Sequence, residues 1–131
     1  MDTNAVLELV GGLLPGPATE WLDTVMTRNG HHISVITRIE LFSKKIDDAE
    51  TQTLTGFVRF ADVIGLDEPI IQQTMRLRQQ RRLKLPDAII AATATALVRG
   101  LTLITRNVSD FKGIPGLAVL NPHEADQLPV L

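Results

Sequence analysis

Two spacings of apolar residues alternate along this chain. Residues 5–10 (AVLELV) predict a short helix that Gly11 and Gly12 stop, with a turn at Pro15, Gly16 and Pro17. Ala18, Trp21, Leu22 and Val25 recur at helical spacing, so residues 18–28 predict a second helix ended by Asn29 and Gly30. Residues 32–36 are short and β-branched, which suits a buried strand, and Thr37 then caps a helix with Glu40 in its first turn. Residues 48–61 predict a helix and residues 63–66 a second strand. Asp67 or Glu68 with Pro69 opens a long helix reaching about Arg82. Leu85, Pro86 and Asp87 break it and begin another over residues 88–98, closed by Gly100. Small apolar residues on nearly every face of that helix predict burial on more than one side. Residues 101–105 predict a third strand, 106–111 a turn or short helix, and 117–120 a last strand.

Strands separated by helices, with apolar runs in place of in/out alternation, predict the α/β class: a parallel sheet sandwiched between helices. The chain has 131 residues with no internal repeat, low-complexity stretch or linker, so one domain over residues 1–131 is expected. Its 44% hydrophobic and 21% charged residues exclude a disordered or collagen-like chain, and zero Cys excludes thiolate chemistry and a disulfide scaffold. The opening lacks the basic and apolar segments of a signal peptide, and no apolar run approaches the roughly 20 residues of a membrane helix. A soluble, cytoplasmic protein with no membrane association is the expectation.

In open parallel sheets, ligands bind beyond the carboxyl ends of the strands. Asp2, Glu40, Asp87, and Asn107 with Asp110 all fall at such positions. Hard oxygen donors with no Cys and no spaced His set suit Mg2+ or Mn2+ acting on a phosphate substrate. Clustered carboxylates raise each other's pKa, and a divalent ion relieves that repulsion while acidifying a bound water. Singly, each acid also has an ordinary use: Asp87 as a helix cap, Glu40 as a capping-box partner, Asp110 as a turn residue.

In order along the chain, residues 1–4 (MDTN), 34–41 (SVITRIEL), 85–93 (LPDAIIAAT), 103–111 (LITRNVSDF) and 116–122 (GLAVLNP) carry a resemblance over nearly its whole length. The chain resembles a PIN-domain ribonuclease, and most closely the VapC-type toxin of bacterial toxin–antitoxin pairs. That resemblance implies metal-dependent hydrolysis of RNA phosphodiester bonds, with Asp2, Glu40 and Asp87 as ligands for Mg2+ or Mn2+. The fourth acidic position of the family falls on Asn107, with Asp110 one turn on, which bears on a second metal. Thr105, Asn4 and Thr37 stand where the family places polar residues that hold the acids. His31, His32 and His123 are then bystanders. The family carries a central apolar strand ahead of its first aspartate, so the fold is expected with that strand truncated, either because residues before Met1 are missing from this chain or because its start is misassigned.

The net charge of -2 does not announce a nucleic-acid binder. Between Gln72 and Pro86, however, Arg76, Arg78, Arg81, Arg82 and Lys84 stand with no acid among them, leaving the remainder at -7. Such a run is ordinarily a solvated helix face. Leading directly into Asp87, it is also placed to grip RNA phosphates. The aromatic residues Trp21, Phe42, Phe57, Phe60 and Phe111 are expected mostly in the core. The resemblance further implies a small VapB-like antitoxin as partner and a homodimer, with Leu9, Leu13, Leu14 and Trp21 as antitoxin contacts or as plain core. The rival to the nuclease is a catalytically silent PIN-like module that binds RNA or protein. A phosphoacceptor of the response-regulator kind also clusters acids, but Lys112 follows residues 101–105 in a loop, away from the strand end it would need.

Overall fold

The computed structural model describes residues 1–96, 101–124 and 128–129. In chain order its elements are α1 (Thr3–Val10), α2 (Gly16–Asn29), β1 (His32–Ser34), α3 (Val35–Ser43), α4 (Asp48–Arg59), β2 (Asp62–Ile64), α5 (Glu68–Gln80), α6 (Leu85–Ala96), β3 (Thr102–Ile104), α7 (Val108–Phe111) and β4 (Ala118–Leu120). The α/β order follows the predicted one. The expected closure of α6 at Gly100, after residues 97–99, lies outside the described residues.

Aspartate opens three of these helices. Asp2, Asp47 and Asp67 are extended, and each accepts the N–H three residues on, at 2.9, 2.8 and 3.0 Å, satisfying a donor that has no partner inside the helix. Gly30 ends α2 at φ 71°, a conformation that residues with a Cβ resist.

The strand expected over residues 32–36 is shorter, and Thr37 is not the cap. Ser34 is extended and its hydroxyl oxygen accepts the N–H of Ile36 at 3.2 Å, so Val35 and Ile36 are already helical. A local cap here outweighs the strand preference of two β-branched residues. Thr37 becomes a fully buried position inside α3, and Glu40 moves from the first turn to the second.

The strands pair in parallel as expected, but as two halves. His32 and Ser34 of β1 face Asp62 and Ile64 of β2, and Thr102 and Ile104 of β3 face Ala118 and Leu120 of β4. Met1 and Asp2 stand between the halves. The Met1 ammonium donates to the His32 carbonyl at 3.3 Å, and the Asp2 N–H donates to the Ile104 carbonyl at 3.1 Å. A cavity of ≈ 260 Å³ lies beside Met1 between the halves, lined by Leu22, Met26, Ile33, Ile90 and Leu103 among others.

Helices cover both faces. Adjacent residues of β3 point opposite ways and are both buried: Leu103 packs with Ile70, Leu77, Ile90 and Phe111, whereas Ile104 packs with Ala5, Leu14, Ala18 and Leu22. A third cluster of Val6, Ile33, Leu41 and Leu54 joins α1, β1, α3 and α4. Residues 88–94 of α6 are buried throughout, as their small side chains predict.

Of the aromatic residues, Phe111 lies in the core, and Phe57 and Trp21 are half-buried against it. Phe42 and Phe60 are the exceptions to that expectation for most of them, being exposed, Phe60 at 78%. Leu14 is buried and Leu9 half-buried, which is the plain core role, whereas Leu13 is exposed.

Candidate active site

The turn of chain from Met1 into α1 brings Asp2 to the carboxyl end of β3. Its carboxylate is buried and doubly held. Oδ1 accepts the Ala5 N–H at 2.9 Å, and Oδ2 accepts the hydroxyl of Thr105, which is fully buried just past β3. Thr105 in turn accepts the Asn107 N–H at 3.0 Å. One aspartate thus caps α1 and anchors the loop after β3.

Glu40 reaches the same region from α3. Its Oε1 accepts the hydroxyl of Thr3 at 2.6 Å, and Thr3 lies 3.3 Å from the hydroxyl of Thr37. Asp87 arrives from the first turn of α6, where Pro86 is tolerated because the first N–H groups need no partner. Among the described residues Asp87 has no hydrogen-bond or ion-pair partner. Burial raises the Asp87 pKa above its ordinary value, and the charges of Asp110, Asp2 and Glu40 raise it further, against an opposing pull from Lys84.

Asp2, Glu40 and Asp87 line one cavity of ≈ 280 Å³, together with Thr3, Asn4 and Lys44. Asn107 and Asp110 do not line it. Asn107 commits its side-chain amide to Asp110 Oδ2 at 2.5 Å, which holds that carboxylate just beyond the cleft yet near enough to act on Asp87. Asn4 is exposed on the cavity wall, and its side chain has no hydrogen bond among the described residues.

The donor set fits a small hard cation in kind: three carboxylates, no sulfur, and like charges that raise the pKa of Asp87. It is not a finished cage. No three His, Cys, Asp or Glu side chains among the described residues approach closely enough to enclose an ion. Mg2+ keeps several waters and is ordinarily held by one or two carboxylates, so this arrangement is compatible with it.

The basic run separates into parts. Arg78, Arg81, Arg82 and Lys84 line an open cleft of ≈ 820 Å³ at the junction of α5 and α6. Arg76 does not join them, and its Nε donates to Gln73 at 3.2 Å on the same helix. Arg81 donates to the Lys112 carbonyl at 2.8 Å and Arg78 to the Leu83 carbonyl at 3.3 Å, so both are braced. The three histidines lie apart: His31 against Phe57, His32 on Asp62 and His123 on Glu8.

Thr3 and Lys44 are the site residues that sequence reasoning missed. Thr3 follows an acidic candidate directly, but its partner is 37 residues away. Lys44 directly follows α3, where only the fold sets it on the wall of the cavity that holds the acids.

Comparison with known proteins bears on this geometry. The family model described as the PIN domain matches residues 1–117. A toxin–antitoxin complex from Klebsiella pneumoniae shares 34% sequence identity, covering 92% of this chain and 94% of that one, with a TM-score of 0.68. A DNA-bound VapBC from Salmonella typhimurium shares 25% identity, covering 92% and 95%, with a TM-score of 0.72. VapBC2 from Rickettsia felis, bound to a DNA fragment from its promoter, shares 22% identity over 92% and 95% of the chains, with a TM-score of 0.76, and speaks for the fold. No curated protein matches the chain.

Proposed function

The chain belongs to the PIN-domain family, and from that premise we propose that it is a metal-dependent endoribonuclease acting as the toxin of a toxin–antitoxin pair. The observation that carries the proposal is the shared cavity of Asp2, Glu40 and Asp87, whose charges and burial raise the pKa of Asp87. Carboxylates kept near one another at an electrostatic cost to Asp87, which has no hydrogen bond among the described residues, support a cation site.

Asp2, Glu40 and Asp87 would hold Mg2+ or Mn2+, which when bound supplies an acidified water and neutralises charge on the phosphate. The protein's own part is positional. Thr105 and the Ala5 N–H fix the two oxygens of Asp2, and Asn107 restrains Asp110 beside the cleft. Arg81, Arg82 and Lys84 line the cleft just before α6, the helix that carries Asp87, and are the residues proposed to take the phosphates flanking the cleaved bond. The histidines lie apart from Asp2, Glu40 and Asp87, so none is assigned as the base.

The partner proposed is a small VapB-like antitoxin, on the strength of the toxin–antitoxin complex that the chain is similar to over nearly its full length. Homodimerisation and a cytoplasmic location belong to the same reading. Among the described residues no helix is long and apolar enough to cross a membrane.

A silent RNA- or protein-binding module is the second reading, and one observation favours it: no three acids enclose a metal position among the described residues. One experiment separates the two. Purified chain and its Asp87→Ala variant are incubated with labelled RNA in Mg2+ or Mn2+, with and without EDTA. Cleavage by the wild type alone, abolished by EDTA, is expected. Cleavage that survives EDTA, or equal activity in the variant, would refute the chemistry, and no cleavage under any metal condition would favour the silent module.

A further inference from the structure

Glu40 stands on the second turn of α3, and a carboxylate on three rotatable bonds must be ordered before it can serve any ligand. The structure orders it from α1. Thr3 donates its hydroxyl proton to Glu40 Oε1 at 2.6 Å, while the same hydroxyl lies 3.3 Å from that of the fully buried Thr37. A hydroxyl has one proton to give. With the Thr3 proton committed to the carboxylate, the second contact must have Thr37 as its donor, so the bonds run from Thr37 to Thr3 to Glu40. Bonds to an ionised acceptor are the stronger kind, which makes this direction the favoured one.

The same construction stands on the other side of the cleft. The Asn107 N–H donates to Thr105, and Thr105 donates to Asp2 Oδ2. Asp2 and Glu40 therefore each receive one threonine hydroxyl that is itself supported from behind. Among the described residues Glu40 Oε2 has no protein partner, so the relay occupies one oxygen and leaves the other for a ligand.

We infer that Thr3, backed by Thr37, is a positioning residue that holds Glu40 ready for a divalent cation. The inference rests on the metal reading of the cleft given above. It differs from a merely structural tie between α1 and α3, because a tie would change stability alone, whereas a positioning residue changes metal affinity.

The test is Mn2+ binding to the full RNA-free chain by calorimetry, for wild type, Thr3→Val and Thr3→Ser, with melting temperature and RNA-cleavage kinetics measured on the same samples. Loss of an outer hydrogen-bond partner typically weakens a metal site about 10- to 100-fold, and Thr3→Val is expected to weaken Mn2+ binding within that range. The Mg2+ concentration for half-maximal cleavage should rise with it, while KM for RNA holds. Thr3→Ser keeps the hydroxyl and should restore both. Wild-type Mn2+ affinity in Thr3→Val overturns the inference, as does a loss in Thr3→Ser equal to that in Thr3→Val. Should Thr3→Val melt too low to titrate, Thr37→Val carries the test: it removes the supporting donor and should weaken Mn2+ in the same direction by less, and unchanged affinity overturns the relay. Wild-type chain that binds no Mn2+ and cleaves no RNA overturns the metal reading and this inference together. Wild-type binding with an unmoved Thr3→Val overturns this inference alone.

Discussion

Asp87 lacks a hydrogen bond among the described residues and faces three other acids, so in metal-free protein its charge is a cost. Because its pKa is raised on folding, the folded chain holds the proton more tightly than the unfolded chain, and stability falls as pH rises from 3.8 through the raised value. Removing the charge should therefore stabilise. Asp87→Asn is expected to melt at a higher temperature than wild type in EDTA at neutral pH, and the difference should vanish below pH 3.8, where both states of the wild type carry the proton. Added Mg2+ should raise the wild-type melting temperature and narrow the gap. Thermal melts across pH check the sign, and a variant less stable than wild type in EDTA at neutral pH would show that Asp87 has a stabilising role instead.

The junction of α5 and α6 explains why a run of five cations in sequence is not five cations at one place. Helix α5 stops at Gln80 because Arg81 turns extended, its N–H still reaching the Leu77 carbonyl at 3.0 Å. Arg81, Arg82 and Lys84 then ride the connection into α6, joined by Arg78 from the last turn, while Arg76 stays on Gln73. In an Asp87→Ala background, which keeps RNA uncut, Arg81→Glu with Arg82→Glu should weaken binding of single-stranded RNA. The slope of log K against log salt should drop by roughly 0.7 for each phosphate left without a cationic partner. Arg76→Glu should change binding less. Fluorescence anisotropy between low and moderate salt measures all three, and equal effects from Arg76 and the Arg81–Arg82 pair would return the run to a diffuse charged surface.

At the scale of the whole molecule, two half-sheets are joined through the first two residues. The Met1 nitrogen donates to the His32 carbonyl of one half at 3.3 Å, and the Asp2 N–H donates to the Ile104 carbonyl of the other at 3.1 Å.

Much of this was legible in the chain because it is local. Aspartate and proline at helix starts, glycine after α2 and the small residues of α6 set each element by contacts within a turn or two, and the order of those elements implies the α/β sandwich. The three acids were legible as residue types at strand ends. What the chain could not show is what crosses it. Whether Ser34 or Thr37 caps α3 depends on where β1 stops pairing, and that moved Glu40 by a turn. The bond from Thr3 to Glu40 and the place of Lys44 on the wall of the same cavity bring together residues from different elements. The exposure of Phe42 and Phe60 follows from which helix faces find a neighbour. Local sequence determined the elements and the chemical inventory of this protein, while only the packing of α1, α3 and α6 around the strand ends decided which side chains share a cleft, because carboxylate repulsion and hydrogen bonding act through space over a few ångströms and take no account of separation along the chain.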